Sequence, residues 1–302
     1  MFALIVAGPV LREACAGAQF DAWREQSARI AWIALATAVL SGAGWLVVLA
    51  ADIGGRPLPD VFSDDLIWSV ATRTRFGMAW SARLVVAATL ACGLIALSRR
   101  PGTTPRWLGA IMAALALLLV ATLAWSGHAS GTPGIAGDIH VAVDALHLVA
   151  AGAWIGALVP LALLFAAARR ATHPVAVSIV RDVTLRFSTL GVIAVGTILA
   201  TGVFNAWVLV GSVDALIATD YGRLLMVKIG LFAVMVWIAT FNRLRLTPRL
   251  SSARTAVDAR RRLQRNCVIE AALGLLILVI VGALGTLPPG LHAMPSTHVH
   301  GS

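Results

Sequence analysis

Charge is the scarcest property of this sequence. Only 13% of its 302 residues are Asp, Glu, Lys or Arg, against 59% hydrophobic residues and a mean hydropathy of +0.86. A soluble domain of this length is not so apolar. Cysteine is nearly absent too: Cys15, Cys92 and Cys267 stand apart, with no CxxC, which excludes a disulfide framework or a zinc knuckle. No nucleotide-binding loop, GxSxG or HExxH occurs, and the charged connections are too short for an ATPase domain. The chain is therefore read as a non-enzyme that does not drive transport by itself. The N-terminus lacks the basic stretch of a signal peptide.

What is present is a series of apolar runs near the roughly 20 residues that a membrane helix needs. Full spans are predicted near 29–51, 75–98, 106–127, 139–166, 187–211, 222–243 and 267–287. Residues 1–11 would cover only about 16 Å as a helix, which reads as the second half of a further span. The fold class is all-α: a polytopic helical membrane protein of seven full transmembrane helices plus a partial N-terminal one. Residues 1–287 form a single membrane domain and 288–302 a flexible His-containing tail.

The net charge of +10 comes from Arg residues gathered in alternate connections, which is a topology signal and not a nucleic-acid surface. Arg12 and Arg24 lie before the first full span, Arg99, Arg100 and Arg106 around 99–106, Arg169 to Arg186 in 167–186, and Arg243 to Arg265 in 243–266. The connections 128–138 and 212–221 have neither Lys nor Arg. The Arg-bearing loops are expected in the cytoplasm and the C-terminus in the periplasm of a bacterial inner membrane. Trp45, Trp80, Trp125 and Trp207 near the outer ends, and Trp32 and Trp107 near the inner ends, form the expected aromatic belts. The piece 63–72 (SDDLIWSVAT) reads as a short interfacial helix.

The most unusual stretch is 128–165. A loop beginning at His128 runs into an apolar helix that carries His140, Asp144 and His147 at i, i+4 and i+7, on one face, with Trp154 a heptad further on. An acid and two imidazoles on such a helix are costly in lipid and mark a functional site. Arg83, Asn205 and Lys228 fall at similar depth on other spans, so that all would sit roughly 8–12 Å below the outer surface. His128 and His140 would lie just above, at the mouth. The layer reads as a polar cavity with a ligand or metal site, or else as an Asp144 ion pair with Arg83 or Lys228 that fixes packing. Imidazole suits copper, zinc, iron and nickel, and Met78 and Met226 at the same level would favour Cu(I). The tail residues His292, Met294, His298 and His300 could scavenge metal weakly. Thr197, Thr201 and Gly202 read as helix packing, and Glu270, Asn242 and Arg243 as helix-end anchors.

The segments DALHLVAAGAWIGALVPL and RFSTLGVIAVGTILATGVFNAWVLVGSVDALIATDYGRLLMVKIGLFAVMVWIATFNRLRLTPRL resemble the copper resistance protein D (CopD) family, best over 70–287, and TRFGMAWSARL around Arg83 also fits. The resemblance implies an eight-helix inner-membrane protein of copper homeostasis that moves copper inward, often beside a periplasmic copper-binding CopC partner. It carries over His147, Trp154, Asn205, Lys228 and Arg83, and less firmly His128 and His140. The resemblance implies a complete first helix, of which residues 1–11 are expected to supply the second half or a short half-helix. The copper reading places Cu(I) or Cu(II) at His128, His140 and His147, with Asp144 orienting an imidazole. Two alternatives stand beside it. One is a b-type haem redox protein with His128 and His147 as axial ligands. The other is an assembly partner with no transport of its own.

Overall fold

Apolar runs of membrane length need a partner for every backbone polar group, and the helix supplies it within the run. The computed structural model describes residues 2, 6–13, 21–62, 65–99, 105–127, 134–170 and 174–288, and among these every regular element is a helix. They are α1 (Gly8–Glu13), α2 (Asp21–Gly54), α3 (Leu66–Arg73), α4 (Arg75–Ser98), α5 (Arg106–Ala121), α6 (Gly134–Arg170), α7 (Pro174–Val210), α8 (Val213–Ala218), α9 (Asp220–Phe241) and α10 (Ala253–Leu284). Seven helices among the described residues are long and apolar enough to cross a membrane, and each overlaps one of the seven expected spans, with 106–127, 187–211 and 267–287 ending one to three residues earlier than expected. The helices are longer than expected at the Arg-bearing end. α2, α6, α7 and α10 run for 34, 37, 37 and 32 residues, far beyond the roughly 20 that a bilayer requires. Much of 12–28, 167–186 and 243–266, expected as connections, is helix. The cause is propensity: Ala and Arg are frequent there, joined by Glu25, Gln26 and Gln264, and these residues propagate a helix into water.

α6 is the hub. Fifty-six per cent of its most apolar window is buried in the protein, against 39% for α10 and 22% or less for the other spans. Trp154, Leu158, Leu161, Leu164 and Phe165 are at most 1% exposed. α7, α10 and α5 pack around it. Trp23 of α2 donates its indole N–H to the Pro160 carbonyl at 2.8 Å and ties the second helix to the hub. The N-terminal piece joins the same core: Phe2, Val6, Ala7 and Val10 are buried, and Phe2 meets Phe187 of α7 edge to face at 6.1 Å. The outer faces carry Leu40, Val85, Val203, Trp237 and Val279 at about 70% exposure, as a lipid-facing surface requires.

The expected interfacial helix is α3, which buries Val70 and Ala71 and exposes Trp68. Its junction with α4 recurs between α8 and α9. Thr74 accepts from Gly77 N–H at 2.9 Å and donates to Val70 O at 2.6 Å; Thr219 accepts from Gly222 N–H at 3.0 Å and donates to Ala215 O at 2.6 Å. A Cβ on Gly77 would collide with Val70 O, and one on Gly222 with Leu216 O, so both corners require glycine. Nine positions after each threonine stands a cation, Arg83 on α4 and Lys228 on α9. The run α2–α3–α4–α5 thus parallels α7–α8–α9–α10, a parallel repeat of the kind found in transporters.

Candidate functional site

The helix face that carries His140, Asp144 and His147 looks onto α7. His147 Nδ1 lies 2.9 Å from Thr201 Oγ1 of α7, and Thr201 donates its own hydroxyl proton to Thr197 O at 2.6 Å. A hydroxyl has one proton, so Thr201 must accept from His147 Nδ1–H. The ring is therefore held in the Nδ1–H tautomer, with its lone pair on Nε2. The ring lies against α7 at Gly202, where a Cβ would meet His147 Cε1 at 3.5 Å, an ordinary van der Waals contact. Thr197, Thr201 and Gly202, expected as packing residues, instead build the seat of the imidazole.

One turn toward the helix start, Asp144 accepts from Asn205 Nδ2 of α7 at 3.0 Å. Its other carboxylate oxygen faces Gly127, where a Cβ would lie 3.9 Å away. Lys228 of α9 lies within electrostatic range of both Asp144 and His147, and Tyr221 of α9 within range of Asp144. The structure thus brings Asp144, His147, Asn205 and Lys228 together from three helices. Tyr221, 6% exposed, joins them unannounced. The sequence signal for it was its place two residues after the Thr219 cap.

Two expected members are elsewhere, and a third, His140, is enclosed beside Asp144. His140 is 2% exposed, packed against the Phe204 ring at 6.2 Å, and its Nδ1 has no hydrogen-bond partner among the described residues. It lies inside the α6–α7 seam and not at an open mouth, because the helix turns position 140 inward with 144 and 147. Arg83 is spent locally. Its guanidinium donates to Thr122 Oγ1 at 3.1 Å, Thr122 O at 2.9 Å and Ser126 Oγ at 2.9 Å, and so closes the end of α5. Carbonyls released at a helix end are strong acceptors for such a cation, and no Asp144–Arg83 pair appears among the described contacts. Trp154 is about 10 Å further along α6 than His147, one heptad of rise, and packs edge to face on Phe232 of α9 at 6.1 Å. It belongs to a different layer of the bundle.

His128, His292, Met294, His298 and His300 lie outside the described residues. Among the described residues no group of three or more His, Cys, Asp or Glu is gathered in a way that could hold a metal ion. His140 Nδ1 and Asn205 Oδ1 are the buried polar atoms of this region without a partner there.

At the Arg-bearing end a buried polar group appears among residues expected to serve as helix-end anchors. Glu270 of α10 is 1% exposed and accepts from Asn242 Nδ2 at 2.8 Å, while Asn242 Oδ1 accepts from Asn266 Nδ2 at 2.6 Å. Only Arg243 behaves as expected, exposed and bridging to Ser188.

These features define a polytopic helical membrane protein built on a parallel repeat, with a half-buried layer of acid, imidazole, amide and amine around its hub helix. Comparison with known proteins gives the class a family. Residues 1–138 match the family model described as copper resistance protein D-like, N-terminal domain, and residues 181–284 the one described as copper resistance protein D. Inner membrane protein YebZ of Escherichia coli K12 is 32% identical over 265 residues, 88% of this chain and 84% of that protein. Copper resistance protein D of Pseudomonas syringae pv. tomato is 32% identical over 228 residues, 74% of this chain and 72% of that protein. Copper transport protein CutJ of Bacillus subtilis 168 is 28% identical over 229 residues, 75% of this chain but 39% of that protein. No solved structure matches. The chain belongs to the copper resistance protein D family.

Proposed function

We propose that this chain binds copper in the Asp144–His147 layer and passes it across the inner membrane. The observation that carries this reading is the fixed tautomer of His147: Thr201 holds Nδ1–H and leaves Nε2 as a ready ligand for a soft or borderline metal ion, in a chain of a copper resistance family. Asp144 supplies the compensating charge, and Asn205 orients it. His140 Nδ1 is the second nitrogen without a partner on the same helix face. Lys228 balances Asp144 and yields that place when a cation arrives. This makes the amine a gate. With the Arg-bearing loops in the cytoplasm, the layer lies near the periplasmic side, where a CopC-like protein would deliver the ion and His128 and the tail histidines would meet it first.

The test is a Cu(I) titration of detergent-purified protein against a colorimetric chelator. Wild type should bind near stoichiometrically, and His147→Ala and Asp144→Asn should each weaken binding at least tenfold. Equal affinity in wild type and His147→Ala would remove the layer from the copper path.

A further inference from the structure

A cavity of about 160 Å³ lies between α6, α7, α9 and α10 at the Arg-bearing end of the bundle. It is separate from the copper layer: Trp154 forms part of its wall, a heptad away from His147. Its interior is mostly aromatic and aliphatic, with Trp154, Phe165 and Phe187 among the lining side chains. A cavity of about 150 Å³ with apolar walls accepts a benzene ring. This one is of that size, but it is not wholly apolar. Glu270 lines it, 1% exposed, and its Oε2 has no hydrogen-bond partner among the described residues. Oε1 is already taken by Asn242, whose own amide oxygen is taken by Asn266. The network therefore fixes the carboxyl and leaves one oxygen without a partner. A carboxyl oxygen in that position costs free energy in a membrane interior unless a ligand meets it.

The way in is lateral. α7 and α9 touch each other little along this stretch. Val192 of α7 and Thr240 of α9 line the cavity and are exposed on the lipid-facing side. Toward the helix ends the gap is closed by Arg243, which donates to Ser188 O at 2.9 Å and Ser188 Oγ at 2.8 Å. A metal cation fits this place poorly, since a fixed guanidinium lines it and the walls are hydrocarbon. A ring that travels in the bilayer and carries a hydroxyl fits it well.

We propose that the cavity binds a lipid-soluble, hydroxylated one-ring aromatic, the chemistry of a quinol headgroup, with the ring between Trp154, Phe165 and Phe187 and the ligand hydroxyl donating to Glu270 Oε2. The ligand enters from the bilayer between Val192 and Thr240. Gly191 is the position that leaves it room: a Cβ there would stand 4.0 Å from Trp154 Nε1, so an alanine fits and a larger side chain projects into the space.

The experiment is anaerobic titration calorimetry of the full chain in micelles with a benzoquinol bearing one isoprene unit. Gly191→Leu and Val195→Phe serve as two independent cavity-filling variants, each checked for a wild-type melting transition. Saturable binding is expected for wild type, with loss in the folded filling variants. Glu270→Gln presents an amide N–H in place of Oε2 and should weaken the quinol at least tenfold. His147→Ala should bind it unchanged, which separates this site from the copper layer. No saturable heat above micelle partitioning, undiminished binding in a folded filling variant, or an unchanged affinity in Glu270→Gln would each overturn the proposal.

Discussion

Thr201 shows how one hydroxyl can decide what an imidazole does. Its proton goes to Thr197 O and its lone pair to His147 Nδ1–H, so the ring offers Nε2. Replacing Thr201 removes this control without touching His147 itself. Thr201→Val keeps shape and removes the acceptor, and the ring is free to turn or change tautomer. Outer-shell partners of this kind are worth about 10- to 100-fold in metal affinity. Cu(I) affinity should fall by that order in Thr201→Val and return in Thr201→Ser, with stability changed by about 1 kcal/mol or less. A wild-type affinity in Thr201→Val would mean that the tautomer is set by something else. The spacing of His140, Asp144 and His147 was legible in the sequence because a helix repeats every 3.6 residues. The depth of Asn205 on α7 and Lys228 on α9 was legible as well, but their contacts, and the parts of Thr201 and Tyr221, were not, since contacts between helices distant in sequence depend on rotation and register.

At the scale of elements, the two threonine-capped corners position the cations. Each short helix lies at the membrane surface, turns at a Thr, and hands over to a span through a glycine that touches a carbonyl. Gly222→Ala forces a methyl against Leu216 O, and such overpacking costs about 1–3 kcal/mol. Gly44→Ala in α2 meets nothing within 4 Å and is the matched control. Thermal unfolding in detergent should show a lowered midpoint for Gly222→Ala and none of that loss for Gly44→Ala. Equal midpoints would show that the corner yields easily. The short helix before α4 was readable from its caps and apolar turn. The repeat went unread because its shared signal is thin: Thr74 and Gly77 against Thr219 and Gly222, then Arg83 against Lys228. The cations differ in type, and their fates differ as well. Arg83 closes the end of its own neighbour helix, while Lys228 faces the acid and imidazole of the hub.

For the whole molecule, Arg-rich connections alternate with connections that are Arg-free or, as in 52–74, hold more Asp than Arg, and this sets the expected orientation. Asp258, exposed on α10 at the Arg-bearing end, and Asp214, exposed on α8 at the other, report on it. In intact cells a membrane-impermeant maleimide should label Asp214→Cys at once. It should reach Asp258→Cys only after permeabilisation, measured over the wild-type cysteine background. The reverse pattern would turn the molecule over and place the acid–imidazole layer on the cytoplasmic side. The same end-to-end asymmetry separates the two buried polar groups. The acid–imidazole layer lies toward the Arg-free end, and the Glu270 cavity toward the Arg-bearing end.

The sequence by itself determined the solvent this chain folds in, the seven helices that cross it, the helix face that carries the acid and imidazoles, and the family to which the chain is matched. Each depends on composition or on spacing within one helix, and both are local. The tertiary structure decided which of the polar side chains meet. It drew Lys228, Asn205, Thr201 and Tyr221 to α6, turned Arg83 onto Thr122 and Ser126, and buried Glu270 behind Trp154 with one oxygen unpartnered. Those outcomes follow from how rigid helices rotate and pack against one another, and apolar periodicity constrains that weakly where lipid and protein interior are equally apolar.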